Sequence, residues 1–310
     1  MSANAWPSTT IPTPQPFDFN LTVGHQTYYR GRAGADLFAD GTYYRALRHD
    51  DRVVVAAAAP DSDDKLTIRL PLGGSPDDLW FAAEMMACLL GLDIDLTGFY
   101  RLLASDEVLF GAVNTLQGLR PTRSESVFEA LVMAIVAQQI SSALARIIRD
   151  GLVSAFGEPV TVDGHELQAF PAAETLLSAK TGALRAHKLS ARKAEYIQDM
   201  AQRTMDGTLE AERFAGMDDE EAIAELMSLR GIGRWTAEWV LMRALGRIDL
   251  LPAGDVALRK VVAELYFDGR PITEQQLAVF ALERWSPYRG LVTTYLFAHL
   301  RQQRAAMARP

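Results

Sequence analysis

The chain has few of the residues from which metal and redox sites are built. Among its 310 residues are one cysteine, Cys88, and five histidines, at positions 25, 49, 165, 187 and 299. A lone thiol excludes an internal disulfide and any four-cysteine zinc or iron–sulfur site, and the histidines show no metal-ligand spacing. Cys88 lies in the apolar run FAAEMMACLL and reads as a small core residue rather than a nucleophile. No stretch approaches the roughly 18 uninterrupted apolar residues of a membrane-spanning helix. The opening MSANAWPSTTIPTPQPF has neither the basic nor the apolar region of a signal peptide. Its proline and threonine predict a disordered tail over residues 1–15. The expectation is a cytoplasmic protein with no membrane partner.

Positive charge is scarce as well. Lys+Arg 31 against Asp+Glu 39 leaves a net charge of −8, which weighs against a polyanionic partner. The distribution is uneven, however. Ser228–Arg304 holds eleven Lys/Arg against seven Asp/Glu, whereas Asp206–Glu225 just before it holds eight acids and one arginine. A local basic face can coexist with an acidic whole, so composition neither supports nor excludes nucleic acid.

What is present falls into two parts. From Phe17 to Leu72 the residues suggest strands: FDFNLTV alternates, TYYRAL follows the turn-like Asp40-Gly41, and RVVVAAA and KLTIRLPL are rich in β-formers. At Ser75 the pattern turns helical, and SPDDLWFAAEMMACLLGL opens with a helix-start signal. Later runs, among them SVFEALVMAIVAQQ, SARKAEYIQDMAQRTM, DDEEAIAELMSL, WTAEWVLMRAL and RGLVTTYLFAHLRQQ, carry apolar residues at i, i+3, i+4 and i+7. The expected fold class is α+β: a small antiparallel β-containing N-terminal domain and an all-α body. That body is large enough for two subdomains with a cleft, where ligand sites tend to form.

The informative segment is Leu226–Lys260, LMSLRGIGRWTAEWVLMRALGRIDLLPAGDVALRK. A helix ends near Leu229, Gly231-Ile232-Gly233 makes a tight turn, and a second helix starts at Arg234. Glycines let the backbone turn sharply and bring bare N–H groups close to a partner. The start of the second helix then offers unpaired donors and the positive dipole end, which suits a phosphate. By itself Gly-X-Gly is also what an ordinary helix corner looks like. Further on, Pro252-Ala253-Gly254-Asp255 opens another helix. Asp255 reads as an N-cap, and a carboxylate fixed in that way can also stabilise an oxocarbenium-like centre during glycosidic cleavage.

In this combination the residues resemble the helix-hairpin-helix (Gly/Pro-Asp) DNA glycosylase superfamily, and within it the 3-methyladenine DNA glycosylase II branch. FEALVMAIVAQQISS at Phe128–Ser142, HKLSARKAEYI at His187–Ile197 and ERWSPYRGLVTTYL at Glu283–Leu296 extend the likeness over most of Phe128–Arg301. The resemblance implies a helical body in two subdomains. Residues 76–125 with 247–310 would carry the aspartate, and 126–246 would end in the hairpin, behind a β-containing domain over 16–75. It implies Asp255 as the catalytic carboxylate and Gly231, Ile232, Gly233, Arg234, Trp235 and Thr236 as the phosphate-binding segment. Trp235, Trp239, Trp285 and Tyr288 would line a base pocket, although aromatics at helical spacing also build cores. Gln139, with Gln138, would be the wedge that fills the space of an extruded base. The backbone of Met227, Leu229 and Ile232 would hold a structural monovalent or divalent cation, with no cofactor needed for the chemistry.

Some relatives carry a lysine nucleophile where this chain has Trp235, so the resemblance implies hydrolysis by water and no strand cleavage. A cationic alkylated purine stacks well on electron-rich rings and is already a good leaving group. Two positions depart from a well-known relative: Val256 replaces a tyrosine after the aspartate, and Gln139 replaces a leucine wedge. Both bear on substrate range. The expected partner is damaged double-stranded DNA, bound by a nucleoid-associated monomer. The other readings are an oxidised-purine or mismatch glycosylase of the same superfamily, and a non-catalytic helix-hairpin-helix DNA-binding protein. The missing lysine and cysteines disfavour the first, and Asp255 with its aromatic neighbours disfavours the second.

Overall fold

The computed structural model describes residues 6–28 and 34–307. The N-terminal part comprises β1 (Ser8–Pro12), α1 (Phe19–Tyr28), β2 (Asp36–Ala39), β3 (Thr42–His49), β4 (Arg52–Ser62), β5 (Lys65–Arg69) and α2 (Pro76–Leu89). Its five strands form one antiparallel sheet in the order β1-β5-β4-β3-β2. Successive side chains of a strand point to opposite faces. Tyr43, Leu47, Val54, Ala56 and Ala58 therefore turn to α1 and α2, while Tyr44, Ala46, Val55 and Ala57 turn to the other side. Strands covered on both faces read as continuous apolar runs, which is why RVVVAAA shows no alternation.

The helical body follows with α3 (Thr97–Ser105), α4 (Glu107–Val113), α5 (Val127–Ala137), α6 (Ser142–Phe156), β6 (Glu158–Val162) and β7 (His165–Ala169). It continues through α7 (Ala173–Ser178), α8 (Thr181–Ala186), α9 (Ala191–Met205), α10 (Ala211–Ala215), α11 (Asp219–Met227) and α12 (Arg234–Ala244). It closes with α13 (Val256–Tyr266), α14 (Glu274–Trp285) and α15 (Arg289–Met307). Two cores divide it. One joins α5, α6, α9, α11 and α12; the other joins α3, α4, α13, α14 and α15. The chain passes between them at Leu250-Leu251, since Leu250 belongs to the first core and Leu251 to the second. No described helix is long and apolar enough to cross a membrane.

The structure corrects four expectations. Ser8–Pro12 of the expected tail is a strand paired with β5, Ser8 opposite Arg69 and Pro12 opposite Lys65; residues 1–5 lie outside the described residues. FDFNLTV starts a helix rather than a strand, because Asp18 caps it, its Oδ1 accepting the Leu21 amide at 2.8 Å. α2 has the expected start, a Ser75/Asp78 capping box. It packs on the sheet through Ala82, Met86 and Leu89, however, so the β-containing layer runs to Leu92 and the second helical core begins at Ile94. The region 126–246 is not all helix. β6 and β7 form a hairpin about Asp163-Gly164, both at positive φ, and its Val162, Leu167 and Ala169 cover the second face of the sheet.

One buried ionic cluster fastens the sheet to the first helical core. Arg45 on β3 reaches Asp36 at 2.8 Å, Glu125 at 2.9 Å and Glu129 at 3.0 Å. Arg45 and Asp36 are fully enclosed. Burial pushes the Glu125 carboxyl up against the pull of Arg45. Removing one member of such a cluster strands the others in a low-dielectric interior. Arg45→Met should cost about 3–5 kcal/mol of stability, read as a lowered urea midpoint at pH 7; a loss under about 1 kcal/mol would contradict a stabilising role for the pairing.

Candidate active site

The turn between α11 and α12 is built as its glycines require. Gly231 has φ +88°, and a Cβ there would run into the Tyr196 ring, so glycine is needed on both counts. Gly233 is extended, exposed and has open space around it. It caps α12 without a side chain, which leaves the start of that helix bare. The first helical bond runs from Ala237 N to Gly233 O at 3.0 Å. The amides of Arg234, Trp235 and Thr236 precede it and lie at the positive end of the helix.

The side chains of this segment are otherwise engaged. Ile232 and Thr236 point inward, so only their backbone faces a partner. The Arg234 guanidinium binds Glu220 at 2.9 Å and Glu238 at 3.0 Å. Those acids line a cavity of about 390 Å³ together with Asp219, Asp249 and Glu274. Burial pushes Glu238 up to about 7 although Arg234 pulls it down. A phosphate would have to compete with this cluster for Arg234, so the bare amides are the better anion donors.

Asp255 begins α13 just past the crossing between the cores. Its Oδ1 accepts the amides of Ala257 at 2.9 Å and Leu258 at 3.1 Å. The Trp235 indole N–H, from the far side of the crossing, donates to Oδ2 at 3.2 Å. The loop behind it is held by Asp255 N to Pro252 O at 2.8 Å and by Arg259 to Ala253 O at 3.0 Å. The carboxylate is thus fixed by three donors while remaining half exposed, and the next side chain, Val256, stands open to solvent. Such a group can stabilise positive charge developing beside it without reorganising.

The aromatic residues separate. Trp239 lies edge-on to Trp235 at 6.3 Å and tilted against Phe297 of α15 at 5.6 Å. The Arg243 guanidinium sits 5.2 Å from the Trp239 ring. The buried Trp239 indole N–H has no acceptor among the described residues. Trp285, expected in a base pocket, is instead fully buried in the second core, in contact with Phe280 and Tyr266 at 5.2 and 5.8 Å; an enclosed ring cannot stack on a ligand. Tyr288 lies against Gly98 and faces Phe99 at 6.2 Å, so its ring belongs to that core's edge rather than to the tryptophan pair. Phe297 was not anticipated. The periodicity of RGLVTTYLFAHLRQQ marks a helix but not which of its apolar side chains meets Trp239.

The two glutamines after α5 also part company. The Gln138 side chain turns inward and donates to Gly231 O at 2.9 Å and to Thr236 Oγ1 at 3.0 Å, so it braces the hairpin and is not a wedge. Gln139 is exposed, with φ +55°. A left-handed conformation at a helix C-terminus is a glycine position by preference, and a glutamine there carries strain of order 1 kcal/mol.

Comparison with known proteins identifies the family of the chain. A family model described as "HhH-GPD superfamily base excision DNA repair protein" matches residues 132–287. The chain is similar to the DNA-3-methyladenine glycosylase of Bacillus subtilis, at 26% identity over 93% of this chain and 95% of that protein. It is also similar to DNA-3-methyladenine glycosylase 2 of Escherichia coli, at 28% identity over 91% and 94% of the two chains. The solved 3-methyladenine DNA glycosylase of Archaeoglobus fulgidus superposes with a TM-score of 0.84 at 30% identity, over 94% of this chain and 98% of that one. With that family model matching half of its length, the chain belongs to the HhH-GPD superfamily of base excision DNA repair proteins.

Proposed function

We propose that the protein is a monofunctional DNA glycosylase that hydrolyses the N-glycosidic bond of alkylated bases, mainly purines, in duplex DNA. The observation that carries this reading is Asp255, a half-exposed carboxylate locked by three donors at the junction of the two helical cores. The names of the similar glycosylases support the alkylated-base assignment.

In this reading the bare amides of Arg234, Trp235 and Thr236 hold a phosphate and Gln139 fills the space left by the extruded base. Trp239 and Phe297, with the exposed part of Trp235, receive that base. As the bond between C1′ and the base nitrogen breaks, its electron pair leaves with the base. Positive charge builds on the sugar, where Asp255 opposes it. Water then adds its oxygen to C1′ and releases a proton, leaving an abasic site. Trp235 stands where a lysine nucleophile would have to be, so no covalent intermediate forms. The hairpin carbonyls of Met227, Leu229 and Ile232 are neutral oxygen donors suited to a structural cation. Leu229 O already accepts the Ile232 amide at 3.2 Å, and a carbonyl keeps a second lone pair to offer. The protein would act as a monomer at the nucleoid.

A base-release panel tests the proposal: duplexes each carrying 7-methylguanine, 3-methyladenine, ethenoadenine, hypoxanthine or 8-oxoguanine. Release is expected from one or more alkylated purines and not from 8-oxoguanine. Borohydride present during turnover should trap no protein–DNA adduct; a trapped adduct, or release of 8-oxoguanine alone, would point to the lysine-bearing branch instead.

The wedge role makes a separate prediction, because stability and function ask for different residues at position 139. Gln139→Gly should leave the protein as stable or more stable, by a few tenths to about 1 kcal/mol. It should slow excision from fully paired duplex far more than from a bulged lesion, where unstacking is already cheap. Lower stability with unchanged excision would assign Gln139 to structure alone.

A further inference from the structure

The proposed wedge turn lies at the end of α5, and α9 crosses that end. Its Lys193 belongs to HKLSARKAEYI, the stretch whose Tyr196 ring packs against Gly231 of the hairpin. The Lys193 ammonium donates to Val136 O at 2.9 Å and to Gln138 O at 2.7 Å. Both are orphan carbonyls at the negative end of a helix, where a cation is favoured. Gln138 in turn donates from its side chain to Gly231 O at 2.9 Å and Thr236 Oγ1 at 3.0 Å. Four hydrogen bonds thus run from α9 through Gln138 to the hairpin and the first turn of α12, and Gln139, at φ +55°, follows directly on the residue they hold.

Resting on the glycosylase reading, we propose that Lys193 and Gln138 are positioning residues for base extrusion. They form a relay that holds the Gln139 wedge at a fixed distance from the amides that grip the DNA phosphate. Extrusion needs both elements to act on one duplex at once, one pushing into the stack and the other holding the backbone. A turn free to shift would lose leverage although each element stayed intact. The arrangement fits no direct DNA contact by Lys193, because both of its bonds go to carbonyls inside the protein and burial lowers its pKa. A lysine kept for phosphate would hold its ammonium in solvent rather than against two carbonyls of the protein.

The test separates positioning from folding and from chemistry. Lys193→Met keeps the length and apolar stem of the side chain but removes the ammonium. The probe is a duplex with a tetrahydrofuran abasic site and 2-aminopurine opposite the gap, whose fluorescence changes when a side chain enters the stack. Lys193→Met should bind this duplex within about threefold of wild type while losing most of the fluorescence change. It should also slow single-turnover excision of a fully paired lesion by about ten- to a hundredfold, with the bulged form of that lesion much less affected. Combined with Gln139→Ala, it should add less than about twofold, because both changes disable one step. Gln138→Leu, which cuts the other end of the relay and leaves the lysine in place, should show the same pattern and serves if Lys193→Met fails to fold. Wild-type fluorescence from both variants, or equal losses on paired and bulged lesions, would overturn the inference alone. Failure of the wild-type protein itself to bind the abasic duplex would overturn the glycosylase reading with it.

Discussion

The carboxylate of Asp255 is where the two helical cores meet in a single set of hydrogen bonds. Two of its donors are backbone amides of its own helix; the third is an indole from the hairpin helix α12, which packs into the other core. Moving one core against the other would break the third bond and shift the charge relative to any substrate held by the hairpin. Rigidity across that seam is therefore a condition of the chemistry proposed here, since electrostatic stabilisation of a transition state depends on groups already in place.

The rest of the fold supports that seam from a distance. α5 is the beam between the N-terminal sheet and the site. At its start, Glu125 and Glu129 bind the buried Arg45 of the sheet; at its end, Lys193 and Gln138 hold the turn that carries Gln139. The β6–β7 hairpin covers the remaining face of the sheet, so the sheet is sandwiched between its own helices α1 and α2 and a hairpin from the helical body. The acidic total charge is compatible with a DNA partner because the grip is assigned to helix amides rather than to lysines, while the acids beside Arg234 are gathered in one cavity and two of them are paired with its guanidinium.

Much of this was legible in the sequence wherever local signals were strong. The glycine hairpin, the Asp255 cap, the start of α2 and strands β3, β4 and β5 all follow from spacing and capping chemistry. Other features depended on tertiary context. FDFNLTV alternates like a strand, yet Asp18 caps a helix there, and α2 has a helix pattern that does not say which core it joins. Asp163-Gly164 after the β-branched run Val160-Thr161-Val162 was a readable hairpin signal that the helical pattern around it obscured. Among the aromatics, sequence order could not separate Trp285, enclosed in a core, from Phe297, which meets Trp239. The neighbouring glutamines look equivalent in sequence, and only the left-handed backbone at Gln139 turns one outward while the other braces the hairpin.

The central claim, that Asp255 acts by its charge and not only as a helix cap, is tested most directly by single-turnover excision with Asp255→Asn, alongside binding of the same variant to an abasic-site duplex. An asparagine still caps α13 but carries no charge to oppose the cationic sugar. The account predicts excision slowed by about two to three powers of ten with abasic-site affinity nearly unchanged. Excision within threefold of wild type would contradict it.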